Sequence, residues 1–422
     1  MSARRPAAGA RRPRSGDPYG IRPSAALIAP AVSIIGLILI GWVSVGLMTG
    51  NLPFKPGGHS GPGASLGPAR TPTSSDVVIV PSESPGDVLK GTIVYAKAGN
   101  LWIQDATGAR QLTNAGKQPD PGIDSMPSFT PDGKWIVYVE TRSTRVLFRL
   151  GLHAPAYYTA TYPIIYRIHL DGTGRQQLAT GLYKAGRFHW WYWMRQPVMS
   201  PNGHTLALFS DGTDPTQSNV VLQFYEIATH KLTKAGVPEF PPLGHQDADW
   251  SPDGKALLYV KNGRDGARGA PQIYRLDVKT KGFKAITGPG YEAPRYSPDG
   301  RFIAATRTSA LGTDVVILDA RNGNELTRIT DDAHSWGAVW SPAGDRLAYL
   351  HIDGGVTDLE QVILSGTAGR WDVSAPVPLT VSAGLDGASH PDWYIPANQL
   401  PTPVTPSASP SAGPGSASPS GQ

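Results

Sequence analysis

The sequence has no cysteine in 422 residues, and only 17% of it is charged, against roughly 25% in average proteins. Without Cys there is no disulfide, Cys-ligated zinc, iron–sulfur cluster or thioether-linked lipid anchor. No H-E-x-x-H or similar ligand spacing is present, so neither a metal nor a cofactor is assigned. A nucleic-acid-binding surface is also missing, although the net charge is +5. Six of the 38 basic residues (Arg4, Arg5, Arg11, Arg12, Arg14, Arg22) but one of the 33 acids (Asp17) fall in the first 25 positions. The rest holds 32 of each sign, so the body is neutral and offers no phosphate groove.

What the chain does have is a long apolar run and an abundance of turn residues, with 49 Gly and 40 Pro. No charge occurs from Pro23 to Phe54, and Ala25 to Met48 is an apolar stretch of 24 residues. About 20 such residues cross a bilayer as a helix, whereas a secretory signal has a shorter core and a small-x-small cleavage site. Residues 25–48 are therefore expected to be an uncleaved single-pass anchor. The basic segment 1–24 precedes it and only Lys55 and Arg70 follow closely, which places the N-terminus in the cytoplasm and the rest outside. Residues 50–87 form a Pro/Gly/Ser-rich linker and residues 397–422 a Pro/Ser/Ala tail of disordered composition. Gly63-Ala64-Ser65-Leu66-Gly67 fits G-x-S-x-G but lies in that linker, without the strand and helix the chemistry needs.

Residues 88–396 repeat. An aromatic or apolar residue is followed by Ser/Thr-Pro, a tight turn and an apolar strand: Phe129-Thr130-Pro131-Asp132-Gly133, Met199-Ser200-Pro201-Asn202-Gly203, Trp250-Ser251-Pro252-Asp253-Gly254, Tyr296-Ser297-Pro298-Asp299-Gly300 and Trp340-Ser341-Pro342-Ala343-Gly344. Pro fixes φ at the first corner, Asp or Asn bonds back to the backbone, and Gly supplies positive φ. Strands such as Trp135–Val139 and Leu257–Val260 are apolar on both faces, as expected when sheets stack. Two further strands per repeat, the last often ending in Leu/Ile-Thr, predict four-stranded propeller blades.

The ends fix the blade number. A sixth copy stops at Trp393, before any second strand. Near residue 90, Thr92–Tyr95, Leu101–Gln104 and Gln111–Thr113 read as second, third and fourth strands lacking a first. One C-terminal and three N-terminal strands complete a blade, so the expected fold is an all-β, six-bladed β-propeller preceded by a transmembrane helix. Such closure removes exposed sheet edges.

The Ser-Pro-Asp-Gly turns between apolar strands resemble the WD40-like (PD40) repeats of the TolB propeller family, and similar repeats occur in dipeptidyl-peptidase-type serine proteases. The resemblance implies the fold over about residues 88–396. TolB proteins place a small α/β domain before the propeller, where this chain has a linker, and no hydrolase domain follows residue 396 here.

In a propeller the residues before each innermost strand ring one mouth of the central channel. Polar candidates there are Asp124, Arg195, Gln196, His245, Asp247, Glu292, His334 and His390, with Asp249, Arg295 and Asp392 beside them. Some sugar-acid lyases with similar propellers hold a metal with mouth histidines, which makes His245, His334 and His390 a candidate ring. Trp190, Trp191 and Trp193 fall within four residues, suited to a sugar or a protein partner if exposed, and to the core of an insertion if not. Residues 141–162 exceed a hairpin loop and are expected to be either functional or a local cap. Fold alone supplies no function. The sequence points to a membrane-anchored, extracytoplasmic scaffold that binds an envelope protein or a cell-surface glycan, and is not an enzyme. The alternative is a glycan-active lyase or hydrolase with a His/carboxylate site at the mouth.

Overall fold

The computed structural model describes residues 89–400, except 118–120, 150, 213–218, 240–243, 264–269 and 368. The expected cytoplasmic segment, anchor and linker, the G-x-S-x-G sequence and the tail beyond residue 400 lie outside the described residues. Among the described residues no helix is long and apolar enough to cross a membrane.

Six antiparallel blades form the fold, five of four strands and the last of five, where Val377–Pro378 also pairs with Val356–Thr367. Blade one joins Asp392–Tyr394 to Thr92–Lys97, Asn100–Asp105 and Gly108–Gln111. Blades two to six begin with the inner strands Gly122–Phe129, Met194–Met199, His245–Trp250, Tyr291–Tyr296 and Ser335–Trp340. The predicted closure is present: Thr92 faces Tyr394, Ile93 faces Trp393 and Val94 faces Asp392. The Trp393 indole N–H also donates to the Lys90 carbonyl at 2.7 Å. Gly91, at φ +77°, lies so close to the closing strand that a Cβ there would stand 2.2 Å from the Tyr394 carbonyl oxygen. Past the expected boundary at 396, Ala397–Gln399 makes one short 3-10 turn and Leu400 packs on the core.

The repeated turn works as its chemistry dictates. In all five copies the Gly N–H donates to the Ser/Thr carbonyl at 2.8 Å. The Ser or Thr hydroxyl donates to Asp132, Asn202, Asp253 or Asp299. The last copy has Ala343 in that place, and Asp345, two residues on, takes the bond instead. Each turn links an inner strand to a second strand whose side chains are wholly buried, such as Leu206–Phe209 and Leu257–Val260. Apolar clusters lie between neighbouring blades, as where Phe209 and Leu222 of blade three meet Leu257 and Tyr259 of blade four.

The terminal Leu/Ile-Thr pairs also have a structural job. Thr113, Thr287, Thr330 and Thr380 accept the N–H of Leu101, Ile273, Val315 and Leu359 through their hydroxyls, at 2.9–3.1 Å. They cap the third strands of blades one, four, five and six where the fourth strand leaves.

Candidate functional site

Every inner strand of blades two to six carries a β-bulge, and each bulge holds one residue at positive φ: Met126, Gln196, Asp247, Ala293 and Gly337. The left-handed region costs a non-Gly residue roughly 1–2 kcal/mol, and bulges turn a backbone group away from its own ladder. The released N–H groups are taken up by the preceding blade. Met126 N–H donates to Ser389 Oγ at 2.7 Å, Gln196 N–H to Met126 Sδ at 3.3 Å, and Asp247 N–H to Gln196 Oε1 at 3.1 Å. Ala293 N–H then donates to Asp247 Oδ2 at 3.2 Å. Ala293 has no acceptor to offer, and the Gly337 N–H turns to Thr306 Oγ1 at 3.0 Å. Two residues further along the strands, Asp392 and Asp249 accept the N–H of Phe129 and Tyr296, each at 2.7 Å. The polar residues of the channel thus stitch blade to blade. The signal in the sequence was the proline inside the strands (Pro127, Pro197, Pro294), since proline in a sheet marks a bulge or an edge.

These side chains leave little room. The channel space lined by Gln196, Asp247, Arg295 and His390 is about 30 Å³, enough for one or two water molecules. Asp247 Oδ1 accepts from Gln196 Nε2 at 2.5 Å and lies 3.9 Å from His390 Nδ1. Burial lowers the His390 pKa, with Asp247 opposing. Asp249, held at about 6 by burial against the nearby Arg295 charge, bonds that guanidinium at 3.3 Å.

The three histidines proposed to converge do not. Only His390 lines the channel. His245 has no exposed surface, and its Nδ1 accepts the N–H of Leu222 at 3.2 Å. That N–H is the blade-three equivalent of those capped by threonine elsewhere, so His245 replaces a missing Thr. Burial, then the Lys261 charge, lowers its pKa to about 4 and keeps it neutral. His334 packs edge-on against His351, 6.4 Å away, with its N–H on Asp332. Among the described residues no group of three His, Asp or Glu is placed to hold a metal.

The other candidates are dispersed as well. Arg195 is buried under the rim and donates to the His245 carbonyl at 2.9 Å. Asp124 lies between blades one and two opposite Glu140, whose carboxylate is held by Arg142 and Arg175. Glu292 is at the rim, where Gln246 Nε2 donates to it at 3.3 Å. Burial and the Asp247 charge raise its pKa to about 7. At the opposite end of the propeller an open groove of about 570 Å³, floored by Phe224 and Trp250, separates blades three and four.

The aromatic segment divides. Phe188–Trp191 pairs with Leu182–Ala185 as a hairpin. It packs against the long segment 141–162, which is no loop: Trp135–Phe148 and Ala156–His169 pair without a break. The inner strand begins opposite Arg142, so six pairs from Ser143–Thr161 to Phe148–Ala156 project beyond it at this mouth. Trp190 and Trp191 lie against Phe148, with ring centroids 4.9 and 5.1 Å away. They form the core of this insertion. Trp193 is 42% exposed, and its backbone is fixed by a 2.7 Å bond from its N–H to Asp211.

Residues 175–375 match the family model of the TolB beta propeller domain, PD40. Over that stretch the propeller resembles the TolB type. No curated protein matches the sequence. Among solved structures, TolB from Acinetobacter baumannii is 23% identical with a TM-score of 0.48, over 72% of this chain and 66% of that one. A putative TolB from Agrobacterium tumefaciens is 16% identical, TM-score 0.49, over 72% and 92%. A chain of a nidogen/laminin complex is 10% identical, TM-score 0.49, over 72% and 99%. The extended pair Trp135–Phe148 and Ala156–His169 and the hairpin against it depart from the four-stranded blade.

Proposed function

We propose that this chain is a non-catalytic scaffold that binds a protein partner of the cell envelope, held outside the membrane by a single-pass anchor at residues 25–48. One observation carries the reading: channel side chains are spent on inter-blade bonds around a space of about 30 Å³, while the rim bears an exposed indole, Trp193, on a backbone anchored to Asp211. A rigid aromatic beside a polar rim is a typical binding anchor, because it adds contact area with little rotamer entropy to lose. Gln246 and Glu292 extend the rim along blades four and five. Glu292, with a pKa near neutrality, gives a partner a carboxyl group that a cationic side chain would ionise. The glycan-active enzyme reading loses its support, since the histidines do not converge: His245 is buried and bonded to the Leu222 N–H, and His334 is exposed away from the channel.

The test uses full-length protein cross-linked in native membranes, followed by reconstitution with the purified partner. Trp193→Ala should weaken that binding at least tenfold and Glu292→Gln less, with melting temperatures unchanged. Undiminished binding by Trp193→Ala would refute the assignment, and capture of a polysaccharide in place of a protein would move it to glycan recognition.

A further inference from the structure

The two-stranded ribbon of blade two, the projecting pairs of Trp135–Phe148 with Ala156–His169, has a distinctive surface chemistry. Residues 143–163 and 181–193 contain no Asp or Glu but hold Arg145, Arg149, Lys184 and Arg187, although the body as a whole is balanced in charge. One face of the ribbon is covered by the hairpin through Phe148, Trp190 and Trp191. The other is open, with Tyr157 63% exposed under the Arg145 guanidinium, 5.0 Å from its ring centroid. At the tip Leu152 is 95% exposed, and below it Tyr158, edge-on to Phe148 with ring centroids 5.5 Å apart, is 49% exposed. Six residue pairs of about 3.4 Å each carry this tip roughly 20 Å past the inner strand.

We propose that the ribbon tip docks on the anionic phospholipid surface of the membrane that anchors the chain. Leu152 enters the interface, Tyr157 and Tyr158 lie at headgroup depth, and Arg145 and Arg149 face lipid phosphates. An apolar tip, interfacial tyrosines and cations without acids together match a bilayer surface, which is negative, with an apolar layer beneath. An acidic protein would complement the charge but would leave Leu152 unburied at the end of the projection. The proposed anchor would strengthen the case, since tethering to the same bilayer raises the effective concentration of the tip and a weak contact then suffices. The inference needs the anchor but not the protein-binding reading, and docking would orient the Trp193 rim relative to the membrane.

The absence of cysteine permits single-site labelling. Full-length protein carrying Ala154→Cys with an environment-sensitive fluorophore is reconstituted into vesicles of phosphatidylcholine alone or with one-third phosphatidylglycerol. The expected result is a blue shift and several-fold brightening with phosphatidylglycerol, quenched by spin-labelled lipid and reduced by high salt. A label at Ser365→Cys, on the opposite face, should stay unchanged. Arg145→Glu and Leu152→Ser, both exposed, should abolish the shift while retaining the wild-type circular dichroism spectrum and melting temperature. A label that remains aqueous in vesicles bearing inserted protein overturns the proposal, as does an equal shift produced in detergent by poly-glutamate. Flotation reports the anchor separately, and a chain that floats with neither lipid refutes anchor and docking together.

Discussion

Asp392 Oδ2 accepts the backbone N–H of Phe129 at 2.7 Å, a bond between residues 263 positions apart in sequence. Asp249 makes the same bond to Tyr296 within the continuous part of the ring. Removing a partner from a largely buried N–H costs about 1–3 kcal/mol. Asp392→Ala and Asp249→Ala should both lower the melting temperature by several degrees. Only Asp392→Ala acts where the ring is closed by non-covalent pairing alone. It should therefore also accelerate amide exchange in Thr92–Lys97, seen by mass spectrometry, and equal exchange in the two variants would show that closure is not a weak point.

His245 has a structural role that can be separated from a ligand's. His245→Ala should destabilise the protein by about 1–3 kcal/mol, because the buried Leu222 N–H loses its acceptor. The pH dependence has a fixed sign. The folded pKa of about 4 is below the ordinary histidine value, so from pH 4 to about 6.5 the unfolded chain binds more protons. Stability gained from this site rises with pH across that window, and thermal melts of His245→Ala should show a shallower rise than wild type.

Asp124 contributes with the opposite sign. Burial, against a hydrogen bond from Thr113 and with the Glu140 charge adding to it, raises its pKa to about 7. Between about pH 4 and 7 the folded protein keeps a proton that the unfolded chain has lost, and stability falls as pH rises. Asp124→Asn should flatten the decline over that range. An unchanged slope in melts at pH 5, 6 and 7 would mean that Asp124 is ionised in the fold.

The fold was legible because its determinants are local and repeated. Ser-Pro-Asp-Gly specifies a turn from four consecutive residues, and Trp393 could be matched to Thr92–Tyr95 because five other copies showed what each end lacked. The site was less legible because its determinants are relations between blades. His245 reads as a mouth ligand until Leu222 is seen to lack the threonine that caps the equivalent strands. Trp190 and Trp191 read equally as an exposed surface or the core of an insertion until Phe148, some forty residues earlier, is found against them. The apolar segment 25–48 and the chain around it lie outside the described residues, and their reading rests on composition alone.

The inter-blade bonds around the channel imply a graded set of losses. Gln196 is engaged twice: its Oε1 accepts from Asp247 N–H and its Nε2 donates to Asp247 Oδ1. Gln196→Ala removes both bonds and leaves a buried N–H and a buried carboxylate oxygen without partners, at a cost of about 2–4 kcal/mol. Met126→Leu preserves volume and removes only the weak sulfur acceptor for Gln196 N–H, so about 1 kcal/mol is expected. Urea denaturation of the two single variants and the double variant measures both. The residues are adjacent in one chain of bonds, so the double variant should lose less than the two losses added together. Strict additivity would mean that each bulge is held by its own blade.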